Sequence, residues 1–241
     1  MAGVKRRFLA FDLGAESGRA ILGKFDGERL ELEELHRFAN GPVQIFDHLY
    51  WDVLRLFAEM KEGLRLYAQK HGGGLDSIGV DSWGVDFGLL GKGDILLENP
   101  HHYRDPRTDH MMETAFARVP REEIFAHTGA QFMKLNSLYQ LLALKESGSP
   151  VLKEAETFLM MADLFNFFFT GRKVCEFSNA TTTQFYNPVA GGWATELLEK
   201  LDLPTHILPE IVEPGTAIGD LLPSIREQVG LDPVQVVAPA T

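Results

Sequence analysis

The sequence predicts an α/β domain in which an antiparallel meander of three strands feeds a strand–helix–strand crossover, giving a mixed sheet with helices on its faces. Three observations carry this reading. Three short apolar or alternating runs separated by tight connections occupy residues 8–35. An apolar stripe of helical period follows at Val53, Phe57, Met60, Leu64 and Tyr67. The run "SIGVDSWGVDFGLL" then returns to strand character.

Taken in order, the apolar residues 8–11 read as a strand covered on both faces. Residues 19–25 form a second strand, and Asp26-Gly27 marks a tight turn. Leu30 and Leu32 alternate with Glu31 and Glu33, so the third strand has one solvated face. The alternation slips at Glu34-Leu35, which predicts a bulge. Asp52 suits the N-cap of the long helix, and the glycines at 72–74 stop it. The strand that follows breaks at Trp83-Gly84, and Gly91 and Gly93 allow a turn into a strand at 95–97. Helices are then expected over 108–117, 122–126 and 136–145, a strand over 157–160, and a helix over 163–169 ended by Thr170-Gly171. "SNATTTQFYNP" reads as loop or short strand, and "PVQVVAPAT" as a strand running to the end of the sequence. There is no internal repeat and no low-complexity linker.

At 241 residues and 45% hydrophobic content the chain can bury a core of one large or two small domains. A net charge of -11 argues against a nucleic-acid partner, which demands clustered Lys and Arg, yet allows a local nucleotide site. The single cysteine, Cys175, rules out an intrachain disulfide, fits a reducing compartment and reads as a small core residue. The apolar run after "MAGVKRR" is cut short by Asp12, and "FLMMADLFNFFF" is broken by Asp163 and Asn166. Neither is long enough for a secretory signal or a membrane span, so a cytoplasmic protein with no membrane partner is expected.

The chemistry concentrates in four segments. In "DLGAESGR", Asp12 ends a buried strand as a hard oxygen ligand suited to Mg²⁺. Gly14 and Gly18 let backbone amides approach a bound group, Ser17 adds a hydroxyl, and Arg19 adds a fixed charge. These parts can hold the terminal phosphates of a nucleotide, although an ordinary glycine-containing hairpin shows the same pattern. No Gly-Lys-Ser/Thr follows, and a strand rather than a helix comes next, so neither a Walker loop nor a dinucleotide fingerprint is present. In "VDSWGVDF", Asp81 and Asp86 flank Trp83 and Gly84: the glycine lets a ligand approach the backbone, and the indole offers a flat wall to a sugar ring or a core residue beside a bulge. In "HHYRDPRTD", Arg104, Asp105 and Arg107 can bond a polyol or form a solvated turn around Pro106. The His101-His102 pair shows no carboxylate or cysteine at ligand spacing, so no zinc site is expected there. "SNATTTQ" can line a polar pocket or bond its own backbone.

With "FDLGAESGR", "HRFANG", "DSIGVDSWGVDFGLL", "YRDPRT", "NSLYQLLAL" and "SNATTTQ" in this order through nearly its whole length, the chain resembles the amino-terminal part of the FGGY sugar kinases. Within the family the likeness is to the branch that phosphorylates L-rhamnulose. The resemblance implies an actin-like, ribonuclease H-like domain over residues 1–241 that binds sugar and phosphate. It also implies a carboxy-terminal nucleotide domain not contained in this chain, ATP and Mg²⁺ as cofactors, and phosphoryl transfer to the sugar's 1-hydroxyl. Ala15, Glu16, Ser17, Gly18 and Arg19 are then implied at the nucleotide phosphates, Asp12 near the metal, and Gly84 with Trp83 at the sugar. Arg104, Asp105 and Asn179 are further candidates for sugar contact. The general base is implied in a His-Asp-Thr segment just beyond Thr241, so none is expected among these residues and the chain alone is expected not to turn over. A kinase for another ketose or polyol, and a non-enzymatic actin-like nucleotide-binding module, stand as alternatives.

Overall fold

The start of the chain folds as expected into an antiparallel meander, but the third strand does not cover its leucines: Leu30 and Leu32 are 58% and 69% exposed. In the computed structural model, which describes residues 6–240, β1 (Arg6–Leu13), β2 (Ser17–Phe25) and β3 (Leu30–Ala39) pair in sequence order. Asp26 closes the second turn by accepting the N–H groups of Glu28 and Arg29 at 2.9 and 2.8 Å, with Gly27 at φ +103°. Ala20 faces His36 and Ile21 faces Glu34, so Leu35 is the extra residue of a bulge where the alternation slips.

A hairpin that the sequence reading did not include comes next, β4 (Pro42–Ile45) with β5 (His48–Trp51). Its first strand is exposed throughout, so no buried face imposes an apolar period on it. The helix α1 (Val53–His71) starts where Asp52 accepts the Arg55 N–H at 3.1 Å. It buries Val53, Leu56, Met60, Gly63, Leu64 and Tyr67. The chain returns as β6 (Ser77–Ser82), parallel to β1. The break expected at Trp83-Gly84 separates two strands that lie in different sheets: β7 (Phe87–Gly91) pairs with β8 (Ile95–Leu96) and with β9 (Thr157–Met160).

Between β8 and β9 lie α2 (Met111–Phe116), α3 (Arg121–Thr128), α4 (Ser137–Glu146) and α5 (Pro150–Glu154). The helix expected over 108–117 is divided. A 3₁₀ turn, Pro106–Thr108, is capped by Asp105, and His110 at φ +67° separates it from α2. After β9 come α6 (Met161–Thr170), β10 (Val174–Glu176) and α7 (Phe177–Thr182). The segment "SNATTTQ", expected as loop or short strand, is therefore largely helical. The buried Glu176 carboxylate accepts the N–H groups of Ser178 and Asn179 at 2.9 and 3.0 Å. The hydroxyls of Thr181, Thr182 and Thr183 turn back onto carbonyls three residues earlier, so local polar bonding stabilises the turn instead of opening it. The rest comprises β11 (Tyr186–Asn187), β12 (Gly192–Trp193), α8 (Thr195–Lys200), β13 (Glu210–Val212), β14 (Ala217–Asp220), α9 (Pro223–Val229) and β15 (Gln235–Val237).

The main sheet has the order β14-β15-β6-β1-β2-β3 and is mixed, with β6 parallel to both β1 and β15. One face carries Leu9, Phe11, Leu13, Leu22, Ile78 and Val80 into a core shared with α1, α6 and α9. The alternate residues look the other way: Asp12, Arg19 and Asp81 share that face with Ala10, Leu30 and Leu32, the last three exposed. A second core surrounds Phe87, Leu89, Phe158 and Met160 with α4 and α8. Cys175 is fully buried, as expected, and burial raises its thiol pKa. Among the described residues no helix is long and apolar enough to cross a membrane.

Gly63 sets the approach of α1 to the sheet, because a Cβ there would lie 2.7 Å from the Ala20 Cβ. Ala is the better helix former by about 1 kcal/mol, whereas overpacking costs about 1–3 kcal/mol. Gly63→Ala is expected to destabilise the chain in urea denaturation, and a gain in stability would refute the close contact.

Candidate functional site

The parallel register of β1 and β6 decides where the site forms. Asp12 lies opposite Asp81 and Leu13 opposite Ser82, so the 14–16 turn and the 83–86 turn leave the same carboxyl edge of the sheet. Ligands of open α/β sheets bind at such edges.

The first turn is built to hold its shape. The Gly14 N–H donates to the Ser17 carbonyl at 2.9 Å. Asn40, the residue after β3, clamps the turn, its side-chain amide donating to the Gly14 carbonyl at 2.8 Å and its backbone N–H to the Glu16 carbonyl at 2.9 Å. The amides of Ala15 and Glu16 have no hydrogen-bond partner among the described residues. Ser17, Gly18 and Arg19 lie within β2, between β1 and β3. Gly18 has a packing reason: it is buried, and a Cβ there would sit 2.2 Å from the Phe38 ring. The Arg19 guanidinium donates to the Asp12 carboxylate, and both side chains remain about one-third exposed (37% and 36%). Burial and the neighbouring Asp12 charge together raise the pKa of Asp81. Two adjacent carboxylates, Asp12 half-buried and Asp81 exposed, stand beside backbone amides without partners, a set of groups that fits Mg²⁺ held through phosphates.

The second turn walls a cleft of about 520 Å³ lined by Trp83, Gly84, Tyr103, Met133, Leu135 and Thr182 among others. A Cβ on Gly84 would lie 3.0 Å from Thr182, so α7 and this turn meet at a glycine. The Asp86 N–H donates to the Gly84 carbonyl at 2.9 Å with Val85 at φ +67°, the arrangement of a classic γ-turn and a costly one for a β-branched residue. Val85 is held from both sides. Its N–H donates to Thr182 Oγ1 at 3.1 Å, and its carbonyl accepts from Ser137 Oγ at 2.5 Å and Gln140 Nε2 at 3.2 Å.

Asp86 does not face the cleft. It is fully buried, and its Oδ2 accepts from Trp51 Nε1 at 2.6 Å, Trp83 Nε1 at 3.0 Å and the Tyr103 N–H at 3.1 Å. Its Oδ1 accepts from Gln140 Nε2 at 2.7 Å. Burial pushes its pKa up to about 6 against these bonds. Gln140 in turn accepts from Arg107 Nη2 at 2.7 Å, and the Arg107 N–H donates to Asp105 Oδ1 at 2.9 Å. Asp105 is buried, tied to backbone, and absent from the cleft lining. Arg104 is exposed with its guanidinium over the Tyr103 ring at 5.3 Å, and Asn179 is buried in α7. Of the residues expected near a sugar, Trp83 and Gly84 line the cleft, while Arg104, Asp105 and Asn179 do not. Trp51, Tyr103, Gln140 and Thr182 were not singled out, because their part depends on contacts remote in sequence.

Nor does the expected absence of ligand spacing around His101 hold. Asp105 lies four residues on, and His48 comes in from the β4–β5 hairpin. Burial and the Arg107 charge keep the His101 pKa well below the usual value, and burial lowers His102 to about 4.

This fold is that of solved sugar kinases. A gluconate kinase from Lactobacillus acidophilus superposes with a TM-score of 0.87 at 22% identity, covering 98% of this chain and 48% of that one. Plasmodium falciparum glycerol kinase with ADP superposes with a TM-score of 0.77 at 16% identity, covering 98% and 49%. A sequence model described as the N-terminal domain of the FGGY family of carbohydrate kinases matches residues 7–241, and the chain belongs to that family. Among its curated relatives are rhamnulokinases of Oceanobacillus iheyensis, 42% identical over 97% of this chain, and of Bacteroides thetaiotaomicron, 40% identical over 98%. The chain spans about half the length of each, 49% in both cases.

In Asp86→Asn the new amide faces the Gln140 donor, and an unmatched buried donor costs about 1–3 kcal/mol. The wild-type acid is neutral in the folded chain up to a higher pH than in the unfolded one, so its contribution to stability falls as pH rises from about 4 through about 6. Urea titrations across that window are expected to show lower stability in Asp86→Asn and a flatter pH dependence. An identical slope in both proteins would show that Asp86 does not titrate there.

Proposed function

We propose that this chain is the sugar- and phosphate-facing part of a carbohydrate kinase that transfers a phosphoryl group from MgATP to the 1-hydroxyl of L-rhamnulose. The observation that carries the reading is the shared sheet edge. The Ala15–Glu16 amides and the Trp83–Gly84 wall, read from sequence as phosphate and sugar contacts, leave adjacent parallel strands side by side. Identity of 40–42% with rhamnulokinases through nearly the whole chain supports the choice of sugar.

Phosphoryl transfer needs little covalent help from the protein and much positioning. The Ala15 and Glu16 amides hold phosphate oxygens, and Arg19 offers a positive charge on the same face. Asp12, with Asp81 beside it, would hold Mg²⁺, which neutralises charge developing on the transferred group. Arg19 donates to one oxygen of Asp12, so the cation that would meet phosphate also orients the carboxylate that would hold the metal. Trp83 and Tyr103 wall the sugar, and Gly84 lets it approach the backbone. β15 is parallel to β6, with Val237 opposite Gly79, so residues after it head for the same edge. The implied base beyond Thr241 lies outside the described residues.

The full-length protein is tested by ADP release with L-rhamnulose, D-xylulose, glycerol and gluconate. A kcat/KM for L-rhamnulose at least about 100-fold above the others is expected. Preference for another substrate would refute the sugar assignment, and nucleotide binding without turnover on any would favour a non-enzymatic module. Asp12→Asn is expected to lower kcat by about 10²-fold or more, as loss of a charge-stabilising group does, with the sugar KM within about threefold of wild type. An unchanged kcat removes Asp12 from the metal–phosphate site.

A further inference from the structure

Outside the cleft, the hairpin and the 98–107 segment bring three metal-ligating side chains to one point. His48 Nδ1 lies 3.3 Å from both oxygens of Asp105. His101 Nδ1 lies 3.8 Å from Asp105 Oδ2, and one ligand atom from each of the three residues falls within 4.8 Å of the others. We propose that His48, His101 and Asp105 form a binding site for a divalent transition-metal ion, of which zinc is the representative.

Four observations support it. His101 is 8% exposed, and its Nδ1, aimed at the carboxylate, has no hydrogen-bond partner, a state that a bound cation relieves. Tetrahedral zinc, with nitrogen and oxygen ligands about 2.0–2.2 Å away, sets its ligands a little over 3 Å apart. The His48–Asp105 pair meets this spacing, and the His101 ligand atom, 3.8 Å from Asp105 Oδ2 and within 4.8 Å of both partners, must close by roughly 0.5–1.5 Å. Asp105 Oδ2 is oriented from behind by the Leu49 N–H at 2.6 Å and Oδ1 by the Arg107 N–H at 2.9 Å, the outer-shell support that ligating carboxylates receive. His48, with 47% of its side chain exposed, leaves an open side for entry and for a water as fourth ligand. Two imidazoles and one carboxylate favour zinc, nickel or copper over magnesium and calcium, which take oxygen ligands. The Arg107 guanidinium, 3.7 Å from Asp105 Oδ1, opposes a cation, so moderate rather than tight affinity is expected. A bound ion would pin the exposed β4–β5 hairpin to the segment that carries Tyr103 into the cleft.

The chain, free of any polyhistidine tag, is titrated with Zn²⁺ against a chromogenic chelator, with Mg²⁺ as the contrasting ion. One equivalent of zinc at micromolar Kd is expected, with a rise in Tm at saturating zinc and none at equal Mg²⁺. His48→Ala removes a half-exposed ligand that no core depends on, and is expected to weaken zinc binding at least about tenfold. His206→Ala, an exposed histidine outside the cluster, should leave it unchanged. His101→Gln adds a second arm, read only if the variant unfolds cooperatively. Absence of stoichiometric zinc binding, or a His48→Ala affinity equal to wild type, overturns the proposal.

Discussion

The buried carboxylate of Asp86 is the joint on which the cleft depends. It receives an indole N–H from the β4–β5 hairpin, another from the 83–86 turn, a backbone N–H from Tyr103 and an amide from α4. These four segments share no local sequence, and one acceptor group brings them together. Burying a carboxylate is costly unless it is fully hydrogen-bonded, which is why four donors converge there. The strained Val85 backbone next to it persists for the same reason: bonds from Thr182, Ser137 and Gln140 fix its two polar groups from outside.

The network does not stop at the cleft. Gln140 passes from Asp86 to Arg107, and Arg107 to Asp105, which anchors the hairpin through the Leu49 N–H. Trp51 stacks on His102 and lies against Trp83 at centroid distances of 4.1 and 4.0 Å. The aromatic layer therefore backs the same wall that the polar chain orients. Both run through residues 98–107, a segment without regular strand pairing beyond a bridge from His101 to Tyr50.

What the sequence revealed was whatever a local period or a turn residue encodes. The meander, the Leu35 bulge, the Asp52 cap and the α1 stripe all follow from neighbours within a few positions. The hairpin at 42–51 escaped because its first strand has no buried face, and α7 because its helix is secured by a buried glutamate cap rather than by an apolar stripe. Trp83 and Gly84 could be singled out from an indole beside a break. Asp86 could be noticed but not placed, since a carboxylate in a strand reads the same whether it meets a ligand or four donors from elsewhere. His48 and Asp105 are 57 residues apart, and no spacing rule joins them.

The one-to-one pairing of β1 with β6 ties two unrelated demands to a single alignment. Side chains alternate, so Phe11 and Leu13 point inward only while Asp12 points outward. Deleting one residue anywhere in 8–11 would reverse the faces on one side of the cut relative to the other, so that either the acid turns into the oil or the apolar residues before it turn into water. Natural variation in this stretch should therefore proceed by exchange of residues, with insertions and deletions confined to the loops beyond it.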